Sequence, residues 1–397
     1  MREVVVVEAV RTAVGKLGGA LKDVQAEELA SIVINGLVDK TGIDTSTVDE
    51  VIFGQVRQSS EASNLARIAA LRSGIPEEVP AYTVMRQCAS GLQAVNNGCQ
   101  AILSGDAEVI IAGGTESMSN AVFYLRNARY GLGTGNSVLV DSLTEGQVRS
   151  QPQDIYGTFN MGITAENVAE RCGISREAQD LFSHGSQKKA DDAIKNGRFD
   201  DEIVPVIIPQ KKGEAVIFKQ DEFPRLTTIE KLASLKPAFK ENGSVTAGNS
   251  SGRNDGATAL LLMSSDKAYS LGLKPLAIIK GAVAAGVSPK VMGLGPVFAV
   301  EKLLKKLDLK LDDIDLIELN EAFAAQSLGC IQMLKLDQSK INVNGGAIAL
   351  GHPVGSSGAR ILVTLIHELR RRKQKYGLAT LCVAGGMGVA DLVEAVY

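Results

Sequence analysis

The sequence predicts an α/β fold in which one order of elements occurs twice. Apolar strands alternate with amphipathic helices in the first third of the chain, and the same order returns in the last third. Strands and helices at this spacing are typical of βαβ units with right-handed crossovers. Because chance rarely preserves element order along about a hundred residues, the two runs indicate a duplication.

The first third begins with a β-branched strand at residues 3–7, whose composition favours a strand buried on both faces of a parallel sheet. A helix with one apolar face follows and ends at Gly42. The other elements predicted for this half are strands at 50–53, 81–85 and 108–112 and helices at 64–72 and 91–103.

The last third repeats this order, and two short motifs repeat with it. Ser90-Gly91 and Ser357-Gly358 each open a helix, and residues 111–114 and 383–386 both end in Ala-Gly-Gly. The elements predicted for this half are strands at 276–279, 316–319, 341–343 and 379–383 and helices at 297–307, 322–334 and after His352.

The segment between the halves, residues 119–244, has a different character. Its glycines suggest irregular loops, and two helices are predicted at 164–171 and 175–196, the second capped by Ser175. Ligands of open α/β sheets bind beyond the carboxyl ends of the strands. We therefore expect an insertion that covers this end and forms a candidate substrate-binding lid.

Composition excludes several classes of function. The 397 residues are 45% hydrophobic and 22% charged, as in a globular protein with a large core. The net charge of −3 gives no electrostatic reason to expect a nucleic-acid partner. No apolar run reaches the ~18 residues that span a bilayer, so we expect no membrane partner.

Cysteine usage points to a reducing compartment. The number of cysteines is odd, they are widely spaced, and no CxxC pair occurs, which fits neither a disulfide framework nor a zinc site. We expect free thiols, no metal and a cytoplasmic location. The five residues are Cys88, Cys99, Cys172, Cys330 and Cys382.

Two predicted strand-to-helix turns carry the chemistry. Cys88 precedes the helix that opens at Ser90, and His352 occupies a glycine-rich turn at the matching place in the second half. A helix N-terminus lowers the pKa of a thiol from about 8.5, and a nearby imidazole can take its proton. If the halves pack about a pseudo-twofold axis, Cys88 is a nucleophile and His352 its base. Cys99, on an apolar helix face, is predicted to be a core residue.

Two further residues leave alternatives open. Cys382 ends a strand before a glycine run, where a thiol can act as acid or base beside backbone N–H groups; otherwise it is a core strand residue. Asn320 follows another predicted strand. Its amide could hold a water or orient His352, or it could cap the next helix ahead of Glu321.

These residues belong to four motifs, which are Gln87-Cys88-Ala89-Ser90-Gly91, Asn320-Glu321-Ala322-Phe323, Gly351-His352-Pro353 and Cys382-Val383-Ala384-Gly385-Gly386. In order and setting the motifs resemble those of the thiolases, the family of acetyl-CoA acetyltransferases and 3-ketoacyl-CoA thiolases. The resemblance covers essentially the whole chain, including residues 161–167 and 246–252.

The resemblance implies a two-step acyl transfer in which Cys88 carries the acyl group after His352 activates it. Cys382 would exchange a proton with the α-carbon of the second acyl-CoA, and Asn320 would hold a water that binds the thioester oxygen with His352. The backbone N–H groups of Cys88 and Ala384 would form a second oxyanion site. Coenzyme A and acyl-CoA are then substrates, and no metal or redox cofactor is needed. The implied substrate and CoA contacts are Ser251, Phe239, Met161, Phe323, Arg225 and Asn160.

The resemblance also implies an architecture: two duplicated βαβαβαββ halves packed as a five-layered αβαβα core with a loop-domain insertion. The N-terminal half would be residues 1–118 plus 245–271, the insertion that binds substrate and CoA 119–244, and the C-terminal half 272–397. A role in fatty acid metabolism and a homotetramer joined through the loop 124–136 are further implications. The alternative for that loop is an ordinary solvated segment.

The family resemblance is compatible with more than one activity. Condensation of two acetyl-CoA to acetoacetyl-CoA is favoured, and the alternative is a degradative 3-ketoacyl-CoA thiolase of broader chain length, because Asn160 replaces a histidine common in short-chain biosynthetic members. A decarboxylating ketoacyl synthase would need a second histidine or an asparagine in its triad, and the positions of His184 and His367 argue against it. A non-catalytic acyl-CoA-binding protein is the remote alternative.

Overall fold

The structure, a computed structural model, describes residues 2–397. Its first half contains five long strands and three helices. In chain order they are β1 (Val4–Thr12), α1 (Ala26–Thr41), β2 (Glu50–Gly54), α2 (Leu65–Arg72), β3 (Ala81–Val84), α3 (Ser90–Ser104), β4 (Val109–Ser117) and, after the insertion, β5 (Asn254–Ser264).

The segment between β4 and β5 contains two long helices, α4 (Met161–Cys172) and α5 (Arg176–Lys195). Ser175 caps α5 as predicted, since its hydroxyl accepts a hydrogen bond from the Ala178 N–H. The rest consists of loops, two short hairpins (Phe123–Leu125 with Leu139–Asp141, and Val206–Ile208 with Val216–Phe218) and short helices at Ser142–Val148, Gln153–Tyr156 and Ile229–Ala233. The predicted boundaries of the insertion stay predictions.

The second half has the same element order. It contains β6 (Ala277–Gly286), α6 (Gly295–Leu307), β7 (Leu316–Leu319), α7 (Ala324–Leu334), α8 (Val354–Arg372), β8 (Tyr376–Val383) and β9 (Met387–Ala395). The remaining short elements of the chain are strands at Gly15–Lys16 and Ile203–Val204, helices at Ser265–Ser270 and Ala347–Leu350, and 3-10 turns at Thr45–Thr47, Ser60–Ala62, Pro289–Leu294, Leu311–Asp313 and Gln338–Lys340.

The two halves also share one sheet topology. In the first half the strand order is β3-β2-β4-β5-β1, with β2 parallel to both neighbours and β5 antiparallel to both. The equivalent order in the second half is Ile341-β7-β8-β9-β6. Here β7 is parallel to both neighbours and β9 is antiparallel to both. The structure therefore confirms the duplication that the sequence predicts.

Three apolar clusters define five layers. One packs α1 and α2 on the first sheet, a second surrounds α3 and α8 between the sheets, and a third packs α6 and α7 on the second sheet. Between them the two sheets join edge to edge, where β1 pairs with β6 through only two residue pairs. This is the αβαβα core that the resemblance implies.

Glycines let the two central helices approach closely at their N-termini. A Cβ atom on Gly91 of α3 would lie 2.8 Å from the Gly355 carbonyl oxygen, and one on Gly358 of α8 would lie 2.8 Å from Leu92 Cβ. Any side chain at these positions would push α3 and α8 apart. The turns before the two helices, which hold Cys88 and His352, are thereby brought to one place.

Two sequence predictions about strands were wrong. β1 is antiparallel to the two long strands beside it, β5 and β6, and is parallel only to the short strand Ile203–Val204. Its apolar run indicates burial between the layers and does not indicate strand direction. The predicted strand at 341–343 is reduced to a single bridge at Ile341, because Asn342 takes a positive φ of 43° and pairs its side-chain amide with the backbone of Leu319. β5 and β9 were not predicted from the residues, although the βαβαβαββ order that the resemblance implies contains both.

Candidate active site

Cys88 lies in the turn between β3 and α3. The preceding Gln87 has a φ of 46°, a left-handed conformation that costs a non-glycine residue about 1–3 kcal/mol. Ser90 fixes this turn, since its hydroxyl accepts from the Arg86 N–H at 2.9 Å and donates to the Gln87 carbonyl at 2.6 Å. The half-buried Cys88 thiol is thus held at the start of α3.

His352 lies in the matching turn before α8 and is 5% exposed. Its Nδ1 is 2.6 Å from the hydroxyl oxygen of Ser357, and that hydroxyl donates its one proton to the Pro353 carbonyl at 2.8 Å. Ser357 must therefore accept a hydrogen bond from Nδ1, which carries the ring proton. The lone pair of the imidazole is left on Nε2, a buried atom without a partner in the part of the chain described.

The backbone of His352 is held by the first half of the chain. Asn254, at the start of β5, accepts the His352 N–H at 2.9 Å and donates from its amide nitrogen to the Gly15 carbonyl at 2.9 Å. The orientation of the imidazole thus depends on both halves. Sequence reasoning missed Asn254, and no pattern near it signals this contact.

Burial sets the protonation of the pair. Burial and the charge of Arg360 lower the pKa of His352 to about 3. Burial raises the pKa of the Cys88 thiol, although the Ala384 N–H and the charge of Arg57 act in the opposite direction. The prediction of a lowered thiol pKa was therefore wrong, because burial outweighs the helix terminus. At neutral pH both groups are uncharged, and the thiol needs His352 as a base to react.

Cys382 is the next-to-last residue of β8, lies near the Cys88 sulfur and is 1% exposed. Its thiol lies in an apolar cluster with Ala322, Phe323 and Met292. Burial raises the pKa of Cys382 well above the ordinary value, and the neighbouring Cys88 raises it further. Cys382 is consequently a neutral thiol that can give up a proton only to a strong base such as a thiolate.

Asn320 follows β7 and is 1% exposed. Its N–H donates to the Thr380 carbonyl at 3.0 Å, but neither atom of its side-chain amide has a partner within residues 2–397. A buried amide without partners costs about 1–3 kcal/mol, so this amide can bind a water or a substrate oxygen strongly. The capping alternative was wrong, because α7 begins at Ala324 with Phe323 as its cap.

The backbone N–H groups proposed as an oxyanion site lie near one atom. The N–H of Ala384 and that of Cys88 itself both lower the pKa of the Cys88 thiol, which places them close to its sulfur. An oxygen on a carbon bonded to this sulfur would come within reach of the same two donors.

One pocket of about 190 Å³ contains most of the predicted site. Cys88, His352, Cys382 and Ala384 line it. Four of the six expected substrate contacts also line it, namely Ser251, Phe239, Met161 and Phe323.

The other predicted residues lie outside the pocket wall. Asn320 is buried and does not line the pocket. Asn160 caps α4, where its side-chain oxygen accepts the Ile163 N–H at 3.1 Å. Arg225 is exposed, and its guanidinium lies 4.2 Å from the ring centroid of Phe223.

Family models match nearly the whole chain. The model described as "Thiolase, N-terminal domain" matches residues 4–266, and "Thiolase, C-terminal domain" matches residues 273–395. The chain is a member of the thiolase family.

Curated relatives and solved structures agree with this assignment. The thiolase chain is 52% identical to an acetyl-CoA acetyltransferase of Cupriavidus necator, over 99% of this chain and 100% of that protein. It is 50% identical to a probable acetyl-CoA acyltransferase of Staphylococcus epidermidis, over 99% of each chain.

Two solved structures share the fold over nearly their full length. The acetyl-CoA acetyltransferase of Bacillus anthracis superposes with a TM-score of 0.97 at 48% identity, over 100% of this chain and 99% of that one. Human mitochondrial 3-ketoacyl-CoA thiolase in complex with CoA gives a TM-score of 0.94 at 44% identity, over 100% of this chain and 98% of that one.

The other histidines of the thiolase have structural partners. The Nδ1 of His184 lies 2.9 Å from the Thr227 carbonyl, and the Nε2 of His367 lies 2.9 Å from the Ala9 carbonyl. Neither lines the pocket, which agrees with the argument against a ketoacyl synthase triad. Cys99 and Cys330 are buried in core clusters, as predicted for Cys99.

Sequence reasoning also missed parts of the thiolase pocket. Arg57 and Met292 line it, although neither belongs to a motif. Ser357 was noted only as a helix opener; its place five residues after His352 could have suggested a contact with the imidazole.

No helix in residues 2–397 has the length and apolar character needed to cross a membrane. Over the same range no three His, Cys, Asp or Glu side chains form a group that could hold a metal ion.

Proposed function

We propose that this thiolase catalyses the reversible condensation of two acetyl-CoA molecules to acetoacetyl-CoA and CoA, through an acetyl group on Cys88. The observation that carries the proposal is that Cys88, Cys382 and the free Nε2 lone pair of His352 meet in one pocket. The names of the relatives from Cupriavidus necator and Bacillus anthracis support this activity.

The first half-reaction follows from the two neutral groups. Nε2 of His352 takes the proton of Cys88 as the sulfur attacks the thioester carbon. The N–H groups of Cys88 and Ala384 stabilise the negative oxygen of the tetrahedral intermediate. CoA then leaves as a thiolate and takes the proton of Cys382. The products are acetyl-Cys88, protonated His352 and an ionised Cys382.

The second half-reaction uses these charges. Ionised Cys382 removes a proton from the α-carbon of the second acetyl-CoA, while the Nε2–H of His352 and a water on Asn320 stabilise the enolate oxygen. The enolate carbon attacks acetyl-Cys88, and the bond between sulfur and carbonyl carbon breaks. Cys88 takes its proton back from His352, so every group returns to its starting state.

The substrate-binding role of the insertion is part of the proposal. Met161, Phe239 and Ser251 line the pocket in front of Cys88, and Phe323 lies 6.0 Å from Phe239, ring centroid to ring centroid. These apolar walls suit a pantetheine arm and a short acyl chain. Arg225 is exposed, which suits a contact with the phosphates at the far end of CoA.

The experiment is a substrate series in the direction of thiolysis. We expect kcat/KM to be at least tenfold higher for acetoacetyl-CoA than for a medium-chain 3-ketoacyl-CoA. The reverse order would favour the alternative, a 3-ketoacyl-CoA thiolase of broader chain length. Two observations support that alternative: the similarity to the human mitochondrial enzyme and the capping role of Asn160. If the protein cleaves neither substrate, the proposed activity and the alternative are both overturned.

The remaining parts of the proposal are a cytoplasmic homotetramer, activity in fatty acid metabolism and no requirement for a metal or redox cofactor. The hairpin formed by 123–125 and 139–141 supports the tetramer, because Phe123 is 60% exposed and Leu139 64% exposed, and Tyr130 at its tip is 96% exposed. Apolar side chains this exposed are typical of an interface. Size-exclusion chromatography with light scattering tests it, and a monomer would contradict it. The chemistry above needs only thiols, an imidazole, backbone N–H groups and a water held by Asn320, and full activity after dialysis against a chelator would agree.

A further inference from the structure

Glu116 is a buried carboxylate near the end of β4 that the mechanism does not use. Its side chain accepts three hydrogen bonds, each 3.0 Å long, and all three come from backbone N–H groups. The donors are Val56, Arg57 and Gly355. Because a buried carboxylate is costly unless its oxygens are hydrogen-bonded, these contacts explain how the fold accommodates Glu116.

The three donors belong to two parts of the active site. Val56 and Arg57 follow β2 and line the pocket. Gly355 is the second residue of α8 and comes three residues after His352. Glu116 therefore connects one wall of the pocket to the helix that begins beside the catalytic imidazole.

Glu116 also caps α8, which has no cap of its own. The helix begins at Val354, and the preceding Pro353 has no side-chain group that accepts the free N–H groups of the first turn. Glu116 accepts one of them, the Gly355 N–H, and its negative charge is favoured at a helix N-terminus. A carboxylate from the first half of the chain thus fixes the start of the helix that follows His352.

The fit between Glu116 and Gly355 is close. A Cβ atom on Gly355 would lie 2.9 Å from Oε2 of Glu116 and 2.4 Å from the carbonyl oxygen of Thr115. The start of α8 therefore lies directly against the end of β4. A change in the Glu116 side chain is transmitted to the turn that holds His352.

The hydrogen-bond pattern requires the ionised carboxylate. Oε2 of Glu116 accepts from Val56 and Gly355, and Oε1 accepts from Arg57. A proton on either oxygen would face an N–H donor, whereas an O–H group needs an acceptor. Protonation of Glu116 would thus break the contact with Arg57 or the contacts with Val56 and Gly355.

The groups around Glu116 let it titrate close to neutral pH. Burial raises its pKa to about 7, while the three N–H donors and the charge of Arg57 act in the opposite direction. On the neighbouring strand β5, the carboxylate of Asp255 bonds to the loop after β4. The turns before α3 and α8 contribute Cys88 and His352, which are both uncharged at neutral pH.

We propose that Glu116 is a positioning residue of this thiolase, whose ionised carboxylate holds the pocket wall and the start of α8 so that His352 faces Cys88 in the reactive arrangement. The proposal rests on the proposed function. Glu116 does not line the pocket, so it acts on catalysis only through the residues that it holds. Turnover should therefore decrease as the pH falls through about 7, a range in which His352, with a pKa of about 3, keeps its protonation state.

The test is the pH dependence of kcat for thiolysis of saturating acetoacetyl-CoA. In the wild type we expect kcat to be about tenfold lower at pH ~6 than at pH ~8, because the ionised fraction of Glu116 falls by that factor. In Glu116→Gln we expect kcat at pH ~8 to fall about 10- to 100-fold with little change in KM, because the amide nitrogen faces a backbone donor. Its kcat should no longer decrease on acidification. Glu116→Asp keeps the charge, so it should lose less activity and keep the decrease.

Asp391→Asn is the matched control. Asp391 is also a buried carboxylate with a raised pKa, but it lies in β9 and does not line the pocket. We expect this variant to have the kcat and the pH dependence of the wild type. An equal loss of kcat in Asp391→Asn and Glu116→Gln would indicate a general packing defect and overturn the proposal.

Two further results would overturn it: a wild-type kcat that is constant between pH ~8 and pH ~6, or a Glu116→Gln variant with the pH dependence of the wild type. If circular dichroism shows that Glu116→Gln does not fold, the wild-type profile decides, together with Glu116→Asp, whose kcat must also decrease on acidification. If the wild type cleaves acetoacetyl-CoA without this pH dependence, only this inference fails. If it cleaves neither acetoacetyl-CoA nor a medium-chain 3-ketoacyl-CoA, the proposed function fails.

Discussion

The hydroxyl of Ser357 accepts the Nδ1–H of His352 at 2.6 Å and thereby assigns the free lone pair of the imidazole to Nε2. The hydroxyl is itself held by the Pro353 carbonyl at 2.8 Å, so it has no proton left to donate to the ring. One serine thus sets both the orientation and the tautomer of the base.

Ser357→Ala should lower kcat for thiolysis about 10- to 100-fold with little change in KM, because the ring loses the partner that fixes its tautomer. Steady-state kinetics with acetoacetyl-CoA measure this. Ser356→Ala is the control: the Ser356 hydroxyl bonds to Thr258 at 2.7 Å and does not touch His352. Equal losses in both variants would indicate a general packing defect and contradict the assigned role.

Cys88→Ala should abolish both turnover and formation of the acetyl-enzyme, since it removes the thiol that is held at the start of α3 in the pocket that also contains His352. Intact-protein mass spectrometry after mixing with acetyl-CoA reports the acetyl group directly. Cys172→Ala, a half-buried residue outside the pocket, should acetylate as the wild type does. An acetyl adduct on Cys88→Ala would show that another residue is the nucleophile.

Cys382→Ser should still form acetyl-Cys88, because His352 can activate the nucleophile without Cys382. Exchange of the α-protons of acetyl-CoA in D₂O should fall at least 100-fold, since a serine hydroxyl is a far weaker acid than a thiol. Proton NMR of acetyl-CoA follows the exchange, with Cys172→Ser as the control. Exchange at the wild-type rate would remove Cys382 from its role as the base.

Asp391→Asn should make the protein more stable at alkaline pH. Asp391 is fully buried in β9, and burial raises its pKa from 3.8 to about 8, although Asn96 donates to it at 3.1 Å. The folded state therefore holds a proton that the unfolded chain loses above pH ~4, so wild-type stability falls as pH rises from about 4 toward 8. The amide keeps the acceptor for Asn96 and removes this loss.

Urea denaturation at several pH values measures the effect. The free energy of unfolding of Asp391→Asn should exceed that of the wild type by at least about 1 kcal/mol at pH ~8, and the difference should shrink on acidification. The exposed Asp23→Asn should differ little from the wild type at any pH. A difference that does not change with pH would mean that Asp391 is ionised in the folded state.

The part of the site that could be predicted is local in sequence. Four residues, Cys88, His352, Asn320 and Cys382, each lie at or just after the end of a predicted strand or in a glycine-rich turn. The ends of neighbouring strands in one sheet meet at one edge. The repeated element order predicted the duplication for the same reason, since each half is built from elements that follow one another in the chain, whereas the five layers were implied only by the family resemblance.

The remainder depends on contacts that no local pattern contains. Asn254 reaches His352 from the other half of the chain, and Arg57 comes from a loop without periodicity. The raised pKa of Cys88 depends on how much of the chain covers the thiol, which a helix terminus alone cannot predict. The direction of β1 could not be predicted from its sequence, because a strand buried on both faces has the same composition whether its neighbours run parallel or antiparallel.

The close approach of α3 and α8 at Gly91 and Gly358 has a consequence for tolerance to change. The thiol comes from one half and the imidazole from the other, so the spacing between the two helix backbones determines the distance between these groups. A methyl group at either glycine would displace the two reactive groups from each other while leaving each half intact. The alignment of the catalytic pair is therefore controlled by two residues that have no functional group at all, and substitutions there should behave as active-site lesions in proteins that still fold.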